Sequence, residues 1–172
     1  MAKQKGFSLI ELLIVVAIIL IIAAIAIPNL LKGRLAANNS AGAATIRTLN
    51  TAEATYLTTY PTAGFADIPT LGPSASSCPS SGPTSTNACL LDNTVGCTAQ
   101  WCQKDAFWYN ITLTTGDYTV TAIPVTGQAD RTYCSNGDQS LHFQFPSSVT
   151  ATPGTAPATA IAHDACAGFA VQ

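Results

Sequence analysis

Near its amino terminus the chain reads KGFSLIELLIVVAIILIIAAIAIPNLL, residues 5–31. Between Phe7 and Ile27 this stretch contains only two polar residues, Ser8 and Glu11. As an α-helix it would be about 31 Å long, enough to cross the hydrocarbon core of a bilayer, which is roughly 30 Å thick. The sequence therefore predicts a transmembrane helix over residues 7–28.

Beyond Asn29 the composition changes to Ala, Thr, Ser and Gly, and all six cysteines lie in this downstream part of the 172-residue chain. Only 9% of the residues are charged and the formal net charge is −2. These values exclude a basic nucleic-acid platform and a highly charged disordered tail, so we expect no specific nucleic-acid partner. Six cysteines without a C-x-x-C pair indicate disulfides in an oxidising compartment. The amino terminus is accordingly predicted inside the cell and the rest outside.

Two features of the apolar segment have alternative interpretations. Ala24-Ile25-Ala26 resembles a signal-peptidase site, although the apolar run is long for a signal peptide. Glu11 either reaches the lipid headgroups or neutralises a positive group of another chain inside an apolar assembly. The residues alone do not separate these two roles of Glu11.

Residues 5–13, KGFSLIELL, resemble the processing signature of type IV prepilins and pseudopilins. The resemblance implies that a leader, residues 1–6, is cut after Gly6 and that Phe7 becomes an N-methylated amino terminus. It also implies that Glu11 forms an assembly salt bridge with the amino terminus of a neighbouring subunit. Pro28 matches the helix-kinking proline common in these proteins.

The helix is predicted to continue as an amphipathic half over residues 29–60, because Pro61 disfavours helix in the residue before it. One arc of this helix contains an apolar stripe, which we expect to pack on a sheet: Ile46, Leu49, Tyr56, Leu57 and Tyr60. Glu53 lies in the same arc. It is either at the rim of the core or satisfied by a backbone or basic partner.

Residues 61–105 are predicted to be a long irregular connection that disulfides hold in place. The natural pairs are Cys78–Cys89 and Cys97–Cys102, although six cysteines allow many connectivities. Cys134 and Cys166 remain, and a bond between them would tie the tail to the sheet, as a disulfide often does in pilins. Zinc and covalent haem are disfavoured because C-x-x-C and C-x-x-C-H are absent.

Four alternating strands are predicted within residues 106–146, and Thr115-Gly116 and Asn136-Gly137 mark two of the turns. Residues 147–172 form a carboxy-terminal tail tied by a disulfide. The fold class is α+β: a long amino-terminal helix, half transmembrane and half amphipathic, packed on a four-stranded antiparallel sheet. The resemblance implies the same pilin-like fold.

No enzyme motif is present, and we expect neither catalysis nor a cofactor. A calcium site at Asp130, Asn136 and Asp138 is an alternative to an ordinary turn, but no EF-hand spacing supports it.

The resemblance implies a type IV pilus subunit that leaves the inner membrane to form a helical filament of identical copies at the cell surface. Prepilin peptidase and the pilus assembly machinery would be its partners, in adhesion, motility or related functions. Alternatives are a type II secretion pseudopilin and a signal-anchored periplasmic binding module that does not polymerise.

Overall fold

The computed structural model describes residues 6–73 and 78–172. They divide into two compact units, the described residues up to Leu35 and those from Ala36 onward. Residues 1–5 of the predicted leader, with Lys3 and Lys5, lie outside the described residues. So do residues 74–77 of the predicted connection. The first helix, α1, spans Leu9–Thr59. It matches the long helix expected from the sequence, and each unit is described below by itself.

In the first unit the described residues belong almost entirely to α1. The helix continues through Pro28, although proline has no N–H to donate to the preceding turn. The kink expected at Pro28 stays a prediction.

In the second unit, α1 buries a stripe that packs on the sheet. Ile46, Leu49 and Tyr56 are buried as predicted, whereas Tyr60 is only partly buried. Leu57 is exposed, contrary to prediction. It lies beside Phe65 and Leu113 in an open apolar groove of about 530 Å³ near the end of α1, where no further layer covers it.

The sheet has six antiparallel strands in the order β1-β2-β3-β4-β5-β6. The strands are β1 (Cys102–Lys104), β2 (Phe107–Thr114), β3 (Asp117–Pro124), β4 (Thr132–Asn136), β5 (His142–Gln144) and β6 (Ala170–Val171). The inner four correspond to the four predicted strands. The α+β class is therefore confirmed, and the predicted number of strands is wrong.

The two missed strands, β1 and β6, are the outermost ones and have three and two residues. Segments this short contain too little alternation to signal a strand. β1 also lies inside the stretch assigned to a loop. It reaches β2 through a tight turn at Asp105, whose φ of 52° is a left-handed conformation that Asp tolerates better than most residues.

The two faces of the sheet have different cores. Tyr109, Val120 and Tyr133 belong to the larger apolar cluster, which includes the buried stripe of α1. The opposite face carries a smaller cluster around Trp108 and Ile123, and Trp101 packs against it. Both tryptophans therefore contribute to packing.

The connection between α1 and β1 is more ordered than the sequence suggested. It contains a short helix, α2 (Ile68–Leu71), whose first turn is capped by Asp67 Oδ1 accepting from Thr70 N at 3.1 Å. Backbone bonds from Ala88 N to Thr70 O and from Leu90 N to Leu71 O, both 2.8 Å, join α2 to the later part of the connection. These contacts are between residues distant in sequence, so local composition gave no signal for them.

Three disulfides are present, and they are the pairs named from the sequence: Cys78–Cys89, Cys97–Cys102 and Cys134–Cys166. The third joins β4 to a short helix, α3 (His163–Ala167), in the carboxy-terminal segment. Cys134 and Cys166 are both fully buried. This bond therefore fixes the tail against the sheet.

Gly42 generates the first prediction, because a Cβ there would lie 2.6 Å from the ring of the fully buried Phe107. Gly42→Ala should gain about 1 kcal/mol of helix propensity but lose about 1–3 kcal/mol to overpacking. We expect a net destabilisation of about 1 kcal/mol in thermal unfolding of the full chain in detergent. Gly33→Ala is the matched control, since Gly33 has open space around it. Equal effects at the two sites would contradict this role of Gly42.

The second prediction ranks the disulfides. Cys134–Cys166 spans 32 residues and Cys97–Cys102 spans 5. Loop-closure entropy therefore predicts that the first bond stabilises the fold by about 4 kcal/mol and the second by about 2 kcal/mol. Cys134→Ser with Cys166→Ser should loosen the carboxy-terminal segment and raise its protease sensitivity more than the double change at Cys97 and Cys102. Limited proteolysis with peptide mapping measures both effects. A larger increase in protease sensitivity on removing Cys97–Cys102 would show the ranking to be wrong.

Candidate functional site

The first part of α1 presents apolar side chains in every direction. Between Phe7 and Leu31 every large apolar residue is at least 46% exposed, and the most hydrophobic stretch of the helix is unburied. Its length and composition suffice to cross a membrane. A helix that is apolar all round is stable only in lipid or among other apolar helices. This surface therefore requires a cover from outside the chain.

Glu11 is the acidic residue of the first helical turn. Its Oε2 accepts a hydrogen bond of 2.9 Å from the backbone N–H of Ser8, which precedes the helix. This contact is one half of a capping box, and a carboxylate here also interacts favourably with the positive end of the helix dipole. Glu11 thus caps its own helix through Oε2.

Gly6 and Phe7 precede the helix in non-helical backbone. Phe7 is 81% exposed, and none of the described residues comes within 4 Å of a Cβ built on Gly6. A peptide bond in such a segment is accessible to a protease, because no helical hydrogen bonds must first be broken. The structure therefore brings Gly6, Phe7 and Glu11 together around the first turn of α1.

The other residues singled out from the sequence lie elsewhere. Pro28 is inside α1, and the six cysteines, Cys78, Cys89, Cys97, Cys102, Cys134 and Cys166, belong to the second unit. Asn136 and Asp138, considered for calcium, bond within the protein: Asn136 to Thr119 Oγ1, and Asp138 to Ser140. Within residues 6–73 and 78–172 there is no cluster of three or more His, Cys, Asp or Glu side chains suited to a metal.

Glu53 is buried more deeply than a position at the rim of the core would be. Its side chain is 0% exposed, so the rim alternative is wrong. Oε2 accepts from the backbone N–H of Ala66 at 3.2 Å, which confirms the alternative of a backbone partner. Burial raises the pKa of Glu53 to about 8; the Ala66 hydrogen bond opposes this shift and the negative charge of Asp67 adds to it. Its position within the apolar arc was the available signal.

A second unpredicted group links α3 to the start of β3 and to the turn that follows β4. His163 Nε2 lies 2.8 Å from Asp117 Oδ2, and Asp117 Oδ1 accepts from Gly137 N at 2.9 Å. The hydrogen bond to Asp117 raises the pKa of His163. Burial favours protonation of Asp117, but the hydrogen bonds from His163 and from the Tyr118 and Gly137 backbones outweigh it and lower its pKa. Asn136 donates to His163 O at 3.3 Å.

Comparisons with known proteins agree with the geometry of the first turn. The family described as the prokaryotic N-terminal methylation motif matches residues 1–27. The type IV wide pilus major component PilA4 of Thermus thermophilus is 62% identical over 40 residues, 23% of this chain and 30% of that protein. The type IV major pilin protein PilA of Myxococcus xanthus is 46% identical over 54 residues, 31% of this chain and 24% of that protein.

Each match thus covers less than a third of the relative's length, and no solved structure matches the chain. The matched segments, the methylation motif and the packing of a long amino-terminal helix on an antiparallel sheet are mutually consistent. By these features the amino-terminal part of the chain is similar to that of type IV pilins.

Proposed function

We propose that this protein is the structural subunit of a type IV pilus, a helical filament of identical copies. The observation that carries the proposal is the exposed apolar half of α1, headed by Gly6, Phe7 and Glu11. The names of the two pilus proteins that match this segment support the same role. The proposed role is structural, without catalysis.

Before assembly, the apolar half of α1 anchors the chain in the inner membrane as a single span with its amino terminus in the cytoplasm. Lys3 and Lys5 keep the leader at the cytoplasmic face. Prepilin peptidase cuts between Gly6 and Phe7 there, and the new amino group of Phe7 is methylated. The second unit, with its three disulfides, lies on the oxidising side.

In the filament, the apolar half of α1 packs against the same part of neighbouring copies. Lipid tails are as apolar as these side chains, so apolar contact alone gives little preference for other helices over the membrane. A specific polar attraction is needed to favour and orient the neighbour. The carboxylate of Glu11 and the ammonium of a neighbouring Phe7 provide it, because an ion pair in a low-dielectric bundle is strong once both charges are already desolvated.

A periplasmic module that is only anchored would need neither the Gly6–Phe7 junction nor a carboxylate in its apolar helix. Its carboxylate would only weaken insertion. Electron microscopy of cells with and without the gene distinguishes a surface pilus from a secretion pseudopilus and from a monomeric anchor. Loss of surface filaments on deletion, restored by the gene, is the expected result.

Maturation gives the third prediction. Intact mass spectrometry of filament protein should find a chain that starts at methylated Phe7, with five basic and nine acidic side chains and a formal charge of −4. Gly6→Ala should slow cleavage modestly, whereas Gly6→Leu should block it, because a bulky residue restricts the extended backbone at the junction. A chain that starts at Met1 or after Ala26 would contradict the proposal.

The fourth prediction concerns Glu11. Glu11→Val should leave membrane insertion intact or improve it, since it removes a cost on the order of 3 kcal/mol. It should nevertheless abolish filament growth by leaving the neighbour's ammonium without a buried partner. Filament yield by shearing and microscopy, with membrane content by immunoblot, measures both.

Ser8→Ala is a control substitution in the same turn, because it keeps both the backbone N–H that donates to Glu11 and the Glu11 charge. It should assemble far better than Glu11→Val. Normal filaments from Glu11→Val without any wild-type protein would refute the pairing role.

A further inference from the structure

Glu53 lies at the contact between α1 and the segment that follows it. Its carboxyl group is fully buried, and Oε2 accepts from Ala66 N at 3.2 Å. Oε1 has no hydrogen-bond partner among the described residues. Ala66 is itself 3% exposed. One side-chain atom of α1 thus holds the backbone of the connection just before α2.

The groups facing Glu53 cannot neutralise a negative charge. They are Tyr56 from α1, Asp67 from the connection and Tyr118 from β3. The Tyr56 hydroxyl donates to Ser85 O at 2.6 Å and the Tyr118 hydroxyl to Asn50 Oδ1 at 3.3 Å, so both hydroxyl protons are directed elsewhere. No cation pairs with Glu53 within residues 6–73 and 78–172. Asp67 is an additional anion.

An ionised Glu53 would therefore be a buried charge with one hydrogen bond and a repulsive neighbour. Such a charge is costly, and the ordinary response is to stay protonated or to gain access to water. Access to water requires movement of the connection, because α1 and the sheet are held by the main core. The turn before Ala66 contains Gly64, whose φ of 76° is a left-handed conformation. A backbone bond of 2.9 Å from Ala63 N to Tyr60 O closes this turn on its own residues.

We propose that Glu53 is a pH-operated latch: the neutral carboxylic acid holds residues 60–67 against α1, and the ionised carboxylate releases them. Residues 60–67 are called the latched segment below. This inference does not depend on the filament role.

Release would change an exposed surface of the second unit. Ala63, Gly64 and Phe65 of the latched segment form one wall of the apolar groove that contains Leu57 and Leu113. The Phe65 ring packs on Tyr118 with centroids 4.8 Å apart. Opening the segment would separate these rings and expose the apolar floor beneath them. The latch thus connects the pH around the second unit to the shape of this groove.

The direction of the pH effect follows from proton linkage. The pKa of Glu53 is about 8 with the segment closed and 4.5, the ordinary value, when water reaches the carboxyl group. A carboxyl whose pKa is raised in the closed state stabilises that state fully at low pH. This stabilisation is lost progressively as the pH rises from 4.5 through about 8.

The fifth prediction tests the latch in the full chain in detergent micelles. The δ-carbon of Glu53, followed by NMR, should titrate with a midpoint near 8. The exchange protection of the Ala66 amide, corrected for intrinsic exchange, should fall on the order of 100-fold between about pH 6 and about pH 9.

Glu53→Gln is the matched variant, since its amide is neutral at every pH and still offers an oxygen to Ala66 N. Its Ala66 protection should be nearly independent of pH. Asp67→Asn should lower the titration midpoint of Glu53 without abolishing the titration. Asp138→Asn changes a surface carboxyl that bonds to Ser140 in its own turn. It should leave the Glu53 midpoint unchanged.

The proposal is overturned if Glu53 titrates near 4.5, or if protection falls equally in the wild type and in Glu53→Gln. Should Glu53→Gln fail to fold, the wild-type titration and the Asp67→Asn shift decide the question between them.

Discussion

The apolar surface of the first half of α1, which the chain itself does not cover, determines the surroundings in which this protein is stable. The apolar half of α1 exposes large side chains all round, and the structure buries none of its most hydrophobic stretch. In water such a surface would drive aggregation. In lipid it is stable but has no preferred neighbour, and among copies of itself it requires something that sets direction and register. We propose the carboxyl group of Glu11, in the first turn, for this task.

The same helix serves two different environments. Its second half packs on a sheet in a conventional core, where small residues such as Gly42 allow the backbone to approach the aromatic rings of β2. The smaller core on the other side of the sheet and the Cys134–Cys166 bond hold the carboxy-terminal segment. A modest core of this kind benefits from covalent closure, since much of the chain is in connections rather than in long strands.

The sequence predicted whatever has a local or periodic signal. The long helix, the four inner strands and the hairpin turns follow from apolar runs, alternation and Gly-containing dipeptides. The outer strands β1 and β6 could not be predicted from their own composition, because they form only by pairing with a neighbouring strand. The exposure of Leu57 depends on where the sheet ends, and the angular positions of residues around the helix give no information about this.

The candidate site divides in the same way. Gly6, Phe7 and Glu11 form a contiguous motif and could be named in advance. Glu53 and the pair of Asp117 with His163 depend on residues distant in sequence. The arc of α1 signalled an anomaly at Glu53, but only the tertiary structure shows that the connection folds over it and supplies a single N–H.

The bonds around Asn136 and Gly137 have a consequence for the chemical lifetime of the protein. An Asn-Gly pair ages by deamidation, in which the glycine nitrogen attacks the asparagine side chain and expels ammonia. Here the Gly137 N–H is bound to Asp117, while the Asn136 amide is held by Thr119 and by the backbone of His163. Both reacting groups are thus held by hydrogen bonds that must break before the attack can occur. The fold thus protects a turn whose sequence alone would mark it as labile.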